Sequence, residues 1–139
     1  MTDFRFTYPS RCEIADQVLD DLLHVLAEYS VEEDLVRGLS LAVSEAFTNA
    51  AIHGNQEQPD KSVHVVLHVM EGKIVADIVD HGRGGVERIG ARRPSTAMDE
   101  GGRGIDLIRY YADSSRFTET KDGGLKVSIV FNRTRQRTM

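Results

Sequence analysis

The chain has 139 residues, 40% of them hydrophobic and 28% charged, which fits one globular domain long enough to bury a core but too short for two. A net charge of −5 argues against a nucleic-acid surface, because counterion release needs clustered Lys and Arg, and the only basic run, Arg133, Arg135 and Arg137, reads as a solvated tail. The single Cys12 excludes an internal disulfide, fits a reducing compartment and reads as a small buried hydrophobe. No basic stretch with an apolar run behind it opens the chain, and no apolar run approaches the ~20 residues of a membrane span, so a cytoplasmic protein without a membrane partner is expected.

In chain order, Phe4, Phe6 and Tyr8 alternate with Arg5 and Thr7 as an edge strand ended by Pro9. Ser10 and Glu13 have capping-box spacing before a helix with Ile14, Val18, Leu22, Val25, Leu26 and Tyr29 on one stripe. Ser30 and Glu33 repeat that spacing before a second helix, which runs to Gly54 as its stop. Val63, Val65, Leu67 and Val69 alternate as a strand, and Glu71-Gly72 turns it into the next one, Ile74 to Val79. Gly101-Gly102-Arg103-Gly104 opens an amphipathic helix, Ile105 to Tyr111, and Asp122-Gly123-Gly124 joins a last hairpin, Ser114 to Thr120 and Leu125 to Phe131. The order β-α-α-β-β-α-β-β predicts a single α+β domain over residues 1–139, with helices on one face of a mainly antiparallel sheet. Between Val86 and Glu100, about 15 residues follow neither period; carrying Arg88, Arg92 and Arg93, they read as a binding loop or lid between two glycine clusters, or as solvated loop charges.

Chemistry concentrates in three places. Glu45, Asn49 and His53 are spaced four apart, which on an α-helix places all three on one face. That face is not the wet one: Asn49 falls beside Ala42, Leu35 and Ala46, opposite Arg37, Ser40, Ser44 and Thr48. An unpartnered amide there would cost about 1–3 kcal/mol, so something polar meets it, either backbone or a ligand. Asp80 closes the third strand ahead of Gly82, Gly84 and Gly85, and a carboxylate at a strand end can read the amino group of a base. Glycines at a helix start leave bare N–H groups and a positive dipole end, which suits phosphate.

Glu45-x-x-x-Asn49-x-x-x-His53-Gly54, Asp80-x-Gly82-x-Gly84 and Gly102-Arg103-Gly104 together resemble the nucleotide-binding boxes of the GHKL (histidine-kinase-like) ATPase/kinase superfamily. Within it, the ending Asn-Ala-Ala-Ile-His-Gly looks most like the anti-sigma-factor serine-protein kinases. The resemblance covers nearly the whole chain and implies a Bergerat-type two-layer α/β sandwich holding ATP between helices and sheet. Carried onto this sequence, it implies that Asn49 coordinates Mg²⁺, that Asp80 accepts from the adenine amino group, and that Gly82 and Gly84 pass close to the nucleotide. Gly102, Arg103 and Gly104 would border the phosphates, Glu45 would be the general base, and His53 would touch ATP or support the loop behind the helix. Such proteins often carry Gly-Thr at the last hairpin, where this chain has Gly124-Leu125, which puts a secondary adenine contact in doubt.

The resemblance therefore implies an anti-sigma factor with serine/threonine kinase activity toward a STAS-type anti-anti-sigma protein, a sigma factor as second partner, and a homodimer. The alternative is a switch that uses ATP only to shape a partner surface; a retained Glu45 favours the enzyme, since binding alone needs no base. A sensor histidine kinase would need a dimerising helix pair with a phosphoacceptor histidine, no such pair reads ahead of Phe4, and His24 reads as a surface helix residue. A P-loop or Rossmann protein is disfavoured, because no Gly-Lys-Ser/Thr occurs and Leu107 stands where a third glycine is needed.

Overall fold

A computed structural model describes residues 1–87 and 104–133, together with the backbone of 100–103. The arginines expected in the lid, Arg88, Arg92 and Arg93, and those of the tail, Arg135 and Arg137, lie outside the described residues. Five strands make one sheet: β1 (Thr2–Pro9), β2 (Ser62–Val69), β3 (Lys73–Val79), β4 (Ser114–Glu119) and β5 (Leu125–Asn132). Their spatial order is β1-β2-β3-β5-β4, and every neighbouring pair is antiparallel. Among the described residues, the longer helices are α1 (Ala15–Leu26), α2 (Glu33–Asn49) and α3 (Glu100–Tyr111). The order broadly follows the α+β order that the sequence predicts, except that residues 85–87 are helical where a loop is expected from Val86, and β1 is an edge strand.

The alternation of β2 shows why the sheet is one-sided. Val63, Val65, Leu67 and Val69 are buried under the helices, while His64, Val66 and His68 stay half-buried on the outer face. Val65 pairs with Ile78, and Ile78 with Val127, so one apolar row crosses three strands in register. α1 contributes Val18, Leu22 and Leu26 to the core, at the helical spacing that its sequence shows. α2 is the middle helix, packed between α1 and α3 as well as on the sheet. For that reason Ser40, Ser44 and Thr48, expected on a wet face, are half-buried, and only Arg37 is fully exposed. Phe47 is wholly buried and meets Tyr8 edge to face at 5.9 Å. Its truncation to alanine would cost about 3–5 kcal/mol.

Neither capping box forms. Ser30 takes a left-handed backbone (φ 51°), and α2 starts at Glu33 without a side-chain cap. Ser10 also caps nothing; it is buried, and its hydroxyl donates to the Lys61 carbonyl at 2.5 Å. In both places a tertiary or turn contact displaces a local signal of about 1 kcal/mol. Cys12 is exposed at the start of a 3₁₀ turn (Cys12–Ile14), not buried as a hydrophobe. Arg133 is no frayed tail residue either: its guanidinium donates to the carbonyls of Met70 and Tyr29, both at 2.8 Å.

Candidate functional site

α2 ends at Asn49, and the chain continues as one wider turn, Ala50–Gly54. The Asn55 N–H donates to the Ala50 carbonyl at 2.8 Å, an i→i+5 closure, and Glu57 N–H to that of Ala51 at 2.8 Å. Such π turns within helices occur frequently at functional sites. The four-residue spacing therefore holds as a helical face for Glu45 and Asn49, but not for His53, which sits in the widened turn half-buried. The continuous α-helix expected as far as Gly54 is shortened by that turn.

Asn49 is 6% exposed, and its amide finds no hydrogen-bond partner among the described residues. Because every fully occluded side-chain polar atom among the described residues is satisfied, the Asn49 amide is open to solvent rather than sealed in the core. An amide held on an apolar helix face with only a narrow opening is free to meet water or a ligand there. An oxygen donor with a narrow opening to solvent matches the preference of a hard cation such as Mg²⁺ for oxygen ligands. Glu45, one α-helical turn earlier, is half-buried and likewise has no side-chain partner among the described residues. A side-chain carbon at Gly104 would lie 3.0 Å from its Oε1, so the glycine in the first half of α3 makes room for the carboxylate. Gly102 and Arg103 lie on the opening turn of α3, the Arg103 side chain being outside the described residues. The glycine cluster thus belongs to the helix itself rather than preceding it.

Asp80 is 2% exposed and held on one side only. Its Oδ1 accepts the N–H groups of Gly82 at 2.9 Å and Leu125 at 3.0 Å, and its own N–H donates to the Leu125 carbonyl at 3.0 Å. No donor among the described residues reaches Oδ2. Three glycines crowd this carboxylate. A Cβ at Gly54 would stand 2.1 Å from Asp80 Oδ2, one at Gly124 2.2 Å from the Asp80 carbonyl, and one at Gly82 2.1 Å from the Gly54 carbonyl. Real Cβ contacts are never so short, so the Gly54 loop, the Asp80 loop and the last hairpin meet only because all three side chains are missing. Gly84 does something else: its backbone is left-handed (φ 69°) in open space, so it shapes the turn.

Gly54 and Gly124 read in the sequence as a helix stop and a hairpin residue; their packing on Asp80 is visible only in three dimensions. Leu125, which stands where a threonine is common, contributes through its backbone, while its side chain is buried in the core. Two further cavities, of about 600 and 490 Å³, lie between the start of α2 and the end of β5 and on the outer face of the sheet. Neither includes Asn49 or Asp80. The unanswered polar groups, not the open volume, mark the site.

The family comparisons agree with the fold. Residues 8–131 match the model of the histidine kinase-like ATPase domain. Among curated relatives, the anti-sigma F factor of Heyndrickxia coagulans is 30% identical over 101 residues, covering 69% of each chain. The anti-sigma F factor of Clostridium botulinum is 25% identical over 110 residues, 75% of this chain and 76% of the relative. Among solved structures, the RsbU and RsbW domains of Rv1364c from Mycobacterium tuberculosis superpose with a TM-score of 0.72 at 18% identity, covering 97% of this chain. This chain spans 33% of that longer protein, and the likeness speaks for the fold. Among the described residues no helix is long and apolar enough to cross a membrane. With the fold, the strand-end Asp80 and the helical Glu45–Asn49 pair all in place, this chain belongs to the histidine kinase-like (GHKL) ATPase family, in the branch of the anti-sigma factors.

Proposed function

We propose that this protein is an ATP-dependent serine/threonine protein kinase that phosphorylates a STAS-type anti-anti-sigma protein and sequesters a sigma factor when that partner is absent. The observation that carries the proposal is the pairing of Asn49, a buried amide, with Glu45, a carboxylate one turn away on the same face of α2, neither having a side-chain partner among the described residues. In this reading Asp80 Oδ2 accepts from the adenine 6-amino group, the one oxygen of that side chain left free by the backbone. Asn49 offers its oxygen to Mg²⁺, which when bound neutralises charge on the phosphates of ATP. Gly102, Arg103 and Gly104, at the start of α3, border the phosphates, where helix N–H groups favour an anion. Glu45 takes the proton of the attacking hydroxyl, and the missing side chain of Gly104 gives the carboxylate its place. His53, in the π turn, touches ATP or supports the loop behind α2. The names of the anti-sigma F relatives support the anti-sigma part of this reading, and a homodimer in a cytoplasmic partner-switching pathway completes it as the family resemblance implies.

Labelled ATP, Mg²⁺ and candidate STAS partners from the same genome provide the test. Wild-type protein transfers the γ-phosphate; Glu45→Gln keeps nucleotide and partner affinity and transfers roughly 10²-fold more slowly or worse. Transfer by Glu45→Gln at the wild-type rate removes the base assignment. If the wild type binds a sigma factor or STAS partner and never phosphorylates it, the protein is a nucleotide-shaped switch rather than a kinase.

A further inference from the structure

We propose that Asn55 is a positioning residue for purine recognition: its carboxamide fixes the backbone that aims Asp80, and thereby sets how sharply the site separates a 6-amino from a 6-oxo purine. The proposal rests on the reading of Asp80 as the adenine acceptor. Asn55 is fully buried directly after Gly54, and its side chain spends every group on a different segment. Nδ2 donates to Ser10 Oγ at 2.7 Å and to the Ser62 carbonyl at 3.0 Å, while Oδ1 accepts the His81 N–H at 2.7 Å. The Ser62 carbonyl can only accept, so the amide orientation is fixed: nitrogen toward Ser62, oxygen toward His81.

His81 is the residue after Asp80, so the Asp80 loop is clamped from two directions. On the β5 side, Leu125 exchanges hydrogen bonds with Asp80 itself. On the β1 side, Asn55 holds the His81 N–H and is itself anchored through Ser10, whose hydroxyl donates to Lys61 O at 2.5 Å. Gly54, next to Asn55, supplies the surface on which Asp80 Oδ2 rests. One carboxamide therefore couples the position of Oδ2 to the loop beneath it. The His81 ring is tethered independently, to His64 at 3.0 Å and to Asp122 at 3.4 Å, so losing Asn55 would re-aim the Asp80 loop rather than release it.

A purely structural Asn55 would lower stability without changing which purine is preferred, which separates the two roles. Calorimetry of ATP and inosine triphosphate binding, each with Mg²⁺, on the full chain gives an affinity ratio for every variant. Wild type prefers ATP, and Asp80→Ala brings the ratio close to one. Asn55→Ala narrows the wild-type ratio about tenfold, ~1.4 kcal/mol of discrimination. Leu26→Ala, a core truncation in α1 away from the site, lowers Tm and leaves the ratio alone. Ser10→Ala keeps the His81 contact, removes one acceptor that orients the amide, and narrows the ratio by less. A folded Asn55→Ala with the wild-type ratio overturns the proposal while leaving Asp80 in its role. If Asn55→Ala fails to fold, Ser10→Ala carries the test, and an unchanged ratio there overturns it. A wild type without purine preference, or an Asp80→Ala that keeps it, fails the adenine reading first, and the positioning role with it.

Discussion

Asp77 and Asp80 lie three residues apart at the end of one strand, in two regions that treat a carboxylate very differently. On the outer face of the sheet, Asp77 accepts the Ser128 hydroxyl at 2.7 Å and is bonded to His68 Nε2 at 2.9 Å, with Lys126 Nζ at 3.9 Å. His68 in turn reaches Asp3 at 2.8 Å, closing a polar chain across β1, β2, β3 and β5. Both oxygens of Asp77 are answered by the protein. In the cleft below the helices, Asp80 is more deeply buried, yet only Oδ1 is answered, and by backbone alone. The same contrast separates Asn55, every group of which is used, from Asn49, with no partner among the described residues. Burial together with an incomplete set of partners is what distinguishes a site from a structural network here.

The sharpest way to break this contrast is to add a side chain where the Asp80 loop packs directly against the Gly54 backbone. Gly82→Ala places a Cβ on the Gly54 carbonyl, and neither backbone can yield cheaply. We expect a destabilisation of at least about 2 kcal/mol and loss of nucleotide binding, read by urea unfolding and calorimetry. Gly84→Ala, in open space with a left-handed backbone, should cost only about 1 kcal/mol. Equal losses in the two variants would mean that close packing against Gly54 is not what Gly82 provides.

Next in size is the pair on α2. Asn49→Ala should abolish Mg²⁺-dependent nucleotide affinity and phosphoryl transfer together, because it removes a ligand, while thermal stability without nucleotide stays close to wild type or rises. A large loss of apo stability would show that Asn49 has a protein partner after all. Glu45→Gln, by contrast, should act on transfer alone.

The smallest effect sits on the outer face. Burial alone would lower His68 below its ordinary 6.5, but hydrogen bonds to Asp3 and Asp77 and the charge of both outweigh it, so the net shift is upward. A histidine raised on folding stabilises fully below its unfolded value and loses that contribution as pH rises through the folded one. Next to it, burial and the neighbouring His81 lower His64, whose contribution is present above 6.5 and lost as pH falls through its lowered value. Tm of His68→Gln should therefore lose the part of the wild-type decline that sets in as pH rises above 6.5, without altering nucleotide affinity. Unchanged pH dependence would remove His68 from the charge network.

The sequence makes the order of elements legible because the periods are strong: β2 is apolar at every second residue from Val63 to Val69, and α1 repeats its apolar stripe over three turns. Glu45, Asn49 and Asp80 are legible as well, since a polar group on an apolar helix face or at a strand end stands out against its surroundings. The π turn was not, because nothing in Ala50-Ala51-Ile52-His53-Gly54 departs from helical composition; Asn55 and the glycine contacts decide it through partners far away in sequence. Ser10 and Ser30 misled for a related reason. Capping spacing is a weak local preference, and Ser10 is taken instead by Asn55 and Lys61 across 45 and 51 positions of chain.

Asp80 stands at the centre of the proposed site, offering its Oδ2 to adenine in a Mg²⁺-dependent nucleotide site. Calorimetry of ATP with Mg²⁺ on wild type and Asp80→Asn tests this directly. The substitution keeps an oxygen for Gly82 and Leu125 and places an amide nitrogen where Oδ2 stood, so it should fold and should bind ATP at least about tenfold more weakly, ~1.4 kcal/mol. An Asp80→Asn protein that binds ATP as tightly as wild type, or a wild type that binds no adenine nucleotide at all, contradicts it.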